Sequence, residues 1–453
     1  MESRFSRRKI LQGTGAAAVA KSLQFAADAE PASRTWPIEE GPGTPKLCLA
    51  PADGGRPLPA NLQPLAGSGA PGRGSGSGGN FGGFLDPKVE PAPVGALPIA
   101  YQRIRQLGVT HLLGVNVSGP GGVWTEESVR RTVETAKEAG LVAYNAMIDV
   151  PSSVRYGRES RGKDLEPFLA SIEAAGKGGL TVVEYNFYAH RATEGYYETV
   201  GRANSGYTGF DSGLELLIDD NGRVVGPIYR DASGNITPET LAAFPNSRKV
   251  KFRDLPALAN EGAHTLDEMW ANITYFLKAV IPVAEKAGIR MALHPNDPPA
   301  PVSRGSQQIM ATLAGWKHLV TIVDSPANGI TFDCGVTREL GEDAIATAEY
   351  FASRRRINHV HYRNVVVDKP YEKYQEVFID AGMNDMFGVM KALVRNQYTG
   401  TIYPEHPRAL DADRERTGPG GRIGGYPGGG GYDGITFSVA YARAMMQAAL
   451  ESV

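Results

Sequence analysis

The sequence has little cysteine and almost no net charge. Among its 453 residues only Cys48 and Cys334 are cysteines, which argues against a disulfide framework. The 47 basic and 49 acidic residues give a net charge of −2, so neither a nucleic-acid-binding stripe nor an electrostatic membrane anchor is expected. A chain of this length with 42% hydrophobic residues can bury a large core. We therefore expect a small-molecule partner.

The N-terminal region lacks an apolar run long enough to cross a bilayer and instead resembles a twin-arginine export signal. Ser6-Arg7-Arg8-Lys9-Ile10-Leu11 precedes a short, glycine-containing apolar run at 13–20 and a small-residue cleavage pattern at 27–29. We predict a leader over residues 1–29 and export of the protein, to the periplasm. The alternative is a disordered basic tail on a cytoplasmic protein.

A polar linker and a glycine-biased segment flank the first predicted strand. Residues 30–44 are the linker, residues 46–50 are the strand, and residues 51–94 are a glycine-rich surface loop. The loop does not fit a phosphate-binding role, because no Gly-Lys-Ser or Gly-Lys-Thr follows and no strand leads directly into it. We predict one catalytic domain over residues 45–453.

Strands and helices alternate through the rest of the chain. The predicted strands cover 46–50, 109–115, 141–148, 180–188, 288–293, 329–333, 357–361 and 400–405. The predicted helices cover 95–107, 125–139, 164–175, a segment after Thr265, 306–320, 341–355, 383–395 and about 435–450. A polar stretch at 190–263 is too long for an ordinary connection and predicts an insertion after the fourth strand. Eight apolar strands with eight helices predict a TIM (β/α)8 barrel.

The fifth to eighth strands each end in a residue of a metal-ligand type. The fifth ends at His294, in the segment His-Pro-Asn-Asp-Pro-Pro, and the next three end at Asp333, His361 and Glu405. Because the C-terminal ends of barrel strands share one mouth, these four side chains should converge. Two imidazoles with two carboxylates suit Mn²⁺, Fe²⁺, Co²⁺ or Zn²⁺, and we favour manganese or iron.

Neighbouring residues compete for two of these ligand roles. Asp333 and Cys334 point to opposite faces of a strand, so only one can face the barrel axis. Asp333 is favoured, with Cys334 as the reserve ligand. His359 has the same parity as His361, which is chosen because it lies nearer the strand end. The alternative for His359 is a structural histidine.

Several segments, in chain order, resemble the mannonate dehydratase family. His294-Pro-Asn-Asp-Pro-Pro is similar to its HPDDPP motif, and residues 357–365 are similar to its strand ending in HLRN. Shorter similarities are Tyr-Asn-Phe at 185–187, Pro-Glu-His at 404–406 and Gly-Tyr at 431–432. The resemblance implies a xylose-isomerase-like barrel that holds Mn²⁺ or Fe²⁺ through two histidines, a cysteine and an aspartate. It therefore implies ligand roles for His294, His361 and Glu405.

The sequence departs from this family pattern at two ligand positions. Asp333 stands where the family has its cysteine, and Glu405 replaces the family's aspartate. Both replacements resemble sugar epimerases and isomerases of the same barrel superfamily. In addition, Arg408 replaces the family's second histidine after Pro-Asp-His.

The resemblance also implies an acid/base pair, His406 and Tyr432, with Tyr426 as the alternative to Tyr432. Arg363 and Arg408 are candidates for clamping a substrate carboxylate. A structural ion pair is the alternative for Arg363. The predicted substrate-binding set is completed by Asn186 and Asn296.

The resemblance implies dehydration of a sugar acid, D-mannonate to 2-keto-3-deoxy-D-gluconate and water. A divalent metal would stabilise the negative charge formed next to the carboxylate, and the acid/base pair would move the two protons. One alternative is a metal-dependent sugar isomerase or epimerase, which transfers the same proton without losing water. Another is an exported sugar-acid-binding protein with an idle site. The sequence leaves open whether barrels pair into a homo-oligomer and whether the insertion at 190–263 is a lid or a dimer arm.

Overall fold

Parallel strands close into a barrel in the computed structural model, which describes residues 40–54, 98–231, 234–417 and 426–453. Nine hydrogen-bonded segments form one sheet, and two of them are successive parts of one strand, which leaves eight barrel strands. The strands are β1 (Lys46–Leu49), β2 (His111–Leu112), β3 (Val142–Ala143 with Asn145–Asp149), β4 (Val182–Asn186), β5 (Arg290–Leu293), β6 (Asn328–Asp333), β7 (Ile357–His361) and β8 (Thr401–Tyr403).

The two parts of β3 close the barrel. Val142–Ala143 pairs with β2, while Asn145–Asp149 pairs with β4. β1 pairs with β2 on one side and with β8 on the other, and all these pairings are parallel. Parallel neighbours place all C-terminal strand ends at one mouth. The predicted TIM barrel is confirmed.

Helices cover the outside of the barrel. The described α-helices are Ile99–Gln106, Glu126–Glu138, Ser152–Arg155, Arg161–Gly178, Pro238–Ala243, Leu266–Ala287, Leu313–Ile322, Cys334–Glu339, Ala344–Ala352, Met386–Arg395, Asp411–Thr417 and Tyr432–Glu451. The longest begins at the capping box of Thr265 with Glu268 and ends at Gly288, which is left-handed with φ +72°. Its buried face includes Phe276, which contacts Tyr185 of β4. None of the described helices is long and apolar enough to cross a membrane.

The segment between β4 and Leu266 forms structure of its own beside the barrel mouth. Strands Tyr196–Val200 and Gly206–Asp211 pair with a hairpin that follows β7, Val365–Lys369 with Lys373–Glu376, in a four-stranded antiparallel sheet. Glu215–Ile218 pairs with Arg248–Lys251 in a separate hairpin. The sequence analysis did not predict the hairpin after β7. This hairpin and the inserted segment therefore fold as one unit at the mouth.

Several predicted element boundaries are wrong. The helix predicted at 306–320 begins at Leu313, because Arg304 and Gly305 have positive φ and turn the chain between the short strands Val302–Ser303 and Ser306–Gln307. The eighth strand ends at Tyr403, and the helix Cys334–Glu339 was not predicted. The predicted leader at 1–29, residues 30–39 of the predicted linker and residues 55–94 of the glycine-rich loop lie outside the described residues.

A half-buried ionic cluster joins the inserted segment to the chain after β5. His190 contacts Glu261 through Nδ1 and Glu194 through Nε2, each at 2.9 Å, and Arg304 Nε lies 3.0 Å from the Glu194 carboxylate. Burial lowers the pKa of His190, but the two carboxylates reverse this and raise its pKa on balance. The charged imidazole is therefore a stabilising part of the fold.

We predict that His190→Gln lowers the melting temperature more at pH 6 than at pH 9. Because the folded-state pKa is raised, the stabilisation is complete below the unfolded-state pKa of about 6.5 and is lost as the pH rises through the folded-state value. Thermal unfolding of both proteins at the two pH values measures the difference. His318→Gln, which changes an imidazole packed against Trp270, is the control. An equal loss at pH 6 and pH 9 for His190→Gln would contradict the prediction.

Candidate active site

A cavity of about 300 Å³ opens at the C-terminal ends of the barrel strands. A volume of this order suits a small metabolite. The side chains that line it come from the strand ends, the inserted segment and the segment before the last helix. They include Asp53, Leu113, Met147, Glu184, Asn186, Tyr188, Arg191, His294, Asp297, His361, Tyr403, Glu405, His406, Arg408 and Tyr426.

Four predicted ligands converge at this cavity, where His294, His361 and Glu405 line the wall and Asp333 lies fully buried beside them. One donor atom each from His294, Asp333, His361 and Glu405 lies within 4.8 Å of the others, and all four residues are buried. His361 Nδ1 is central, because it lies 3.1 Å from His294 Nε2 and 2.9 Å from Glu405 Oε2. Asp333 and His361 are also direct neighbours in the register of β6 and β7. The structure therefore brings together the set that the strand ends predicted.

Contacts around the cluster orient its donor atoms. His294 Nδ1 lies 2.8 Å from the carbonyl oxygen of Pro295, which can only accept a hydrogen bond, so Nδ1 carries the proton and Nε2 presents its lone pair to the cluster. Asp333 Oδ1 accepts from the backbone N–H of Val336 at the start of the next helix. The other oxygen, Oδ2, is 4.0 Å from His361 Nδ1.

Burial and neighbouring charges shift the pKa values of the residues in this cluster. Burial alone lowers the pKa of His361, but Glu405 reverses this and raises the pKa to about 9. Burial raises the pKa of Asp333 to about 6, with Arg363 opposing and Glu405 adding to the effect. Burial and the neighbouring His361 both lower the pKa of His294. Two imidazole nitrogens and two carboxylates around one point fit a divalent cation, which would replace the proton shared by His361 and Glu405.

Arg363 lies beside the cluster and is surrounded by carboxylates. Its Nε lies 3.1 Å from Asp333 Oδ2 and 3.0 Å from Glu405 Oε1. Its Nη1 and Nη2 contact three further carboxylates, those of Glu339 at 2.7 Å, Glu376 at 3.7 Å and Asp297 at 3.4 Å. The side chain is only 2% exposed. These contacts fit the structural ion pair that was the alternative role for Arg363. Its role in clamping a substrate carboxylate stays a prediction.

Arg408 and His406 both contact the carboxylate of Glu376. Arg408 Nη2 lies 2.9 Å and His406 Nδ1 lies 3.0 Å from Glu376 Oε2. Arg408 also donates to Thr208 of the inserted segment at 2.7 Å. Burial raises the pKa of Glu376, but His406 and Arg408 outweigh burial and lower its pKa to about 2. Glu376 is therefore an ionised anchor for the predicted catalytic histidine.

The two candidate tyrosines occupy different places. Tyr426 lines the cavity, and its ring centroid is 4.5 Å from that of His406. Tyr432 begins the last helix, and its hydroxyl donates to the carbonyl oxygen of Arg103 at 3.1 Å. Tyr432 is not among the residues that line the cavity. The geometry therefore favours Tyr426, the alternative that the sequence analysis left open.

Of three other predicted site residues, one lines the cavity and two do not. Asn186 lines the cavity, and its substrate-binding role stays a prediction. Asn296 is buried, with its side chain bonded to Gln308 and to the backbone N–H of Met310. The Cys334 thiol lies 3.2 Å from the carbonyl oxygen of Arg363 and is outside the four-residue cluster. The structure thus places Asp333, and not Cys334, among the converging donors.

Sequence reasoning missed Glu184, Glu376 and Arg191. Glu184 lines the cavity 3.7 Å from His361 Nε2 and accepts from Thr331 at 2.8 Å. Its signal was available, since a glutamate inside the apolar run of β4 is rarely buried without a role. Glu376 lies in the hairpin after β7 and Arg191 in the inserted segment, both outside the predicted strands and helices, where spacing gave no signal.

Comparison with known proteins assigns the family. A family model described as D-mannonate dehydratase (UxuA) matches residues 95–447. The chain belongs to the D-mannonate dehydratase family. The resemblance inferred from the sequence motifs is thereby confirmed, and the predicted hydro-lyase class is that of the family.

Individual family members align with most of the chain. Mannonate dehydratase of Enterococcus faecalis is 30% identical over 344 residues, which cover 72% of this chain and 89% of that protein. The Streptococcus equi subsp. zooepidemicus enzyme of the same name is 30% identical over 340 residues, 73% of this chain and 85% of that protein. The crystal structure of mannonate dehydratase from Streptococcus suis serotype 2 has a TM-score of 0.62 at 26% identity and covers 79% of this chain and 91% of that one.

We predict that Arg363→Met lowers the free energy of unfolding of the metal-free protein by about 3–5 kcal/mol, because it leaves buried carboxylates without their counterion. Urea unfolding without substrate measures this change. Arg130→Met, which removes an exposed pair with Glu134, is the control and should cost less than about 1 kcal/mol. A loss for Arg363→Met no larger than the control's would show that Arg363 does not hold the site together.

Proposed function

We propose that this protein dehydrates a sugar acid, with D-mannonate as substrate and 2-keto-3-deoxy-D-gluconate and water as products. The observation that carries the proposal is the convergence of the donor atoms of His294, Asp333, His361 and Glu405 beside one cavity, with His406 adjacent to Glu405. Membership of the D-mannonate dehydratase family supports the reaction.

His294, Asp333, His361 and Glu405 would hold a divalent cation, and we propose Mn²⁺ or Fe²⁺. When bound, the cation would supply positive charge that stabilises the enediolate-like character developing next to the substrate carboxylate. Arg363 Nε contacts Oδ2 of Asp333 and Oε1 of Glu405 and so fixes both carboxylates. Such outer contacts orient ligands and maintain the affinity of a metal site.

His406 and Tyr426 are the proposed acid/base pair. Glu376 Oε2 lies 3.0 Å from His406 Nδ1, and the opposite nitrogen, Nε2, lies 3.5 Å from Glu405 Oε2 on the ligand side. Nε2 is the nitrogen that we assign to take the proton from C2 of the substrate. Tyr426 lies against the His406 ring and would give its proton to the departing C3 hydroxyl. His406 has φ +45°, a strained conformation for a residue other than glycine, which is typical of a side chain held in place for function.

A sugar isomerase or epimerase is the second candidate function. It is favoured because the cluster contains two carboxylates and no thiol, a donor set that resembles those enzymes. The same donors and the same base would also serve a sugar isomerase or epimerase, in which the C2 proton moves and no hydroxyl leaves. Export through a leader at 1–29 and assembly into a homo-oligomer are further proposals, independent of the reaction.

Incubation of the Mn²⁺-loaded protein with D-mannonate tests the proposed function. We expect formation of the 2-keto-3-deoxy product, with kcat reduced at least about 10²-fold in His406→Ala while the bound metal is retained. We expect His294→Ala to lose the metal together with activity. Elemental analysis of the purified proteins measures the metal.

Cys334→Ala is the matched control, because this residue is adjacent to Asp333 but outside the donor cluster. It should keep both metal and activity. Bound metal with epimerised or isomerised sugars, but without the 2-keto-3-deoxy product, would contradict dehydration and support the second candidate. Absence of bound metal would contradict both.

A further inference from the structure

Arg191 is a cavity-lining cation in the inserted segment, and its guanidinium contacts a tyrosine. Its Nη2 donates to the phenol oxygen of Tyr426 at 2.6 Å. Two other arginines lie at the site, but Arg363 and Arg408 are both buried among carboxylates. No ion pair of Arg191 with a carboxylate is found among the residues that the structure describes. The positive charge of Arg191 therefore lies next to the phenol of Tyr426.

This contact fixes the direction of the Tyr426 proton. A guanidinium only donates hydrogen bonds, so the phenol oxygen must be the acceptor in this pair. The phenol O–H is then left to point elsewhere, and Tyr426 lines the cavity. The ring is also held against His406, with the two ring centroids 4.5 Å apart. The phenol is thus held beside the proposed base with its proton available to a bound molecule.

We propose that Arg191 is a positioning residue for Tyr426: its guanidinium aims the phenol proton at the substrate and stabilises the phenolate formed when that proton is transferred. The inference rests on the proposed dehydration. In that step His406 takes the C2 proton, and the C2–H electron pair forms the C2–C3 double bond. The C3–O bond breaks with its electrons on oxygen, and the Tyr426 proton completes the water molecule. The resulting enol gains a proton at C3 and loses the proton of its 2-hydroxyl to solvent, which gives the 2-keto-3-deoxy product. The proton held by His406 then returns to the phenolate through water.

The charges around Tyr426 make this arginine necessary. Burial raises the pKa of the phenol to about 12, with Arg191 acting against this effect and Asp297, Glu405 and Glu376 adding to it. The titratable and charged groups that face the phenol from the surrounding elements are Tyr188, Arg191, Tyr196, Asp297, Glu376, Glu405 and His406. Loss of Arg191 would leave a buried phenol among carboxylates, where ionisation is unfavourable.

The first test measures ionisation of the phenol without turnover. A fluorinated tyrosine, which ionises at lower pH than tyrosine, is placed at position 426 and titrated by ¹⁹F NMR in the metal-loaded protein without substrate. We expect Arg191→Gln to raise the titration midpoint by about one pH unit or more, and Arg191→Lys to raise it less, because the ammonium keeps the charge. Arg223→Gln, an exposed arginine of the same inserted segment, should leave the midpoint unchanged.

The second test separates positioning from substrate binding. With D-mannonate, Arg191→Gln should lower kcat about 10²-fold and change KM less than about twofold, because the interaction acts in the transition state. Arg191→Lys should recover part of the loss. Combining Arg191→Gln with Tyr426→Phe should be no worse than Tyr426→Phe alone, since both changes remove the same unit.

An unchanged ¹⁹F midpoint in Arg191→Gln would overturn the proposal. A rise in KM with kcat preserved would also overturn it, because Arg191 would then be a clamp for the substrate. If D-mannonate is not turned over at all, the proposed function fails. The ¹⁹F titration still decides whether Arg191 controls Tyr426.

Discussion

The rest of the site depends on the ion pairs between the Arg363 guanidinium and the carboxylates around it. Its five carboxylate neighbours come from five segments: Asp297 after β5, Asp333 at the end of β6, Glu339 in the next helix, Glu376 in the hairpin after β7, and Glu405 after β8. Buried carboxylates are costly unless they are paired. Arg363 therefore makes it possible for two candidate metal ligands and the anchor of His406 to lie in one small buried volume.

This charge arrangement divides the cavity into two functional sides. On the ligand side, Arg363 contacts Asp333 and Glu405, and both carboxylates have an oxygen atom near His361. On the acid/base side, Glu376 lies at ion-pairing distance from both His406 and Arg408, while Tyr426 packs on His406 and accepts from Arg191. The proposed mechanism needs both sides at once, because charge stabilisation and proton transfer act on neighbouring atoms of the substrate.

The sequence was most informative where regular structure determines position. Apolar strands with a polar residue at the end predicted the barrel and the convergence of His294, Asp333, His361 and Glu405, because a parallel barrel brings such ends together. Irregular segments were not predictable in this way. Tyr426 lies in a glycine-rich stretch without periodicity. The resemblance of Gly431-Tyr432 to a family motif pointed to Tyr432, with Tyr426 as the alternative. Nothing in the spacing connects Glu376 or Arg191 to the mouth.

The central claim is that one divalent cation binds among His294, Asp333, His361 and Glu405. A Mn²⁺-loaded crystal measured near the manganese absorption edge tests it most directly. The account predicts a single anomalous peak within bonding distance of His294 Nε2 and His361 Nδ1, with oxygen atoms of Asp333 and Glu405 completing the set. A peak instead among Glu184, His359 and His361, the other buried group of suitable donors around His361, or no peak in the barrel mouth, would contradict the account.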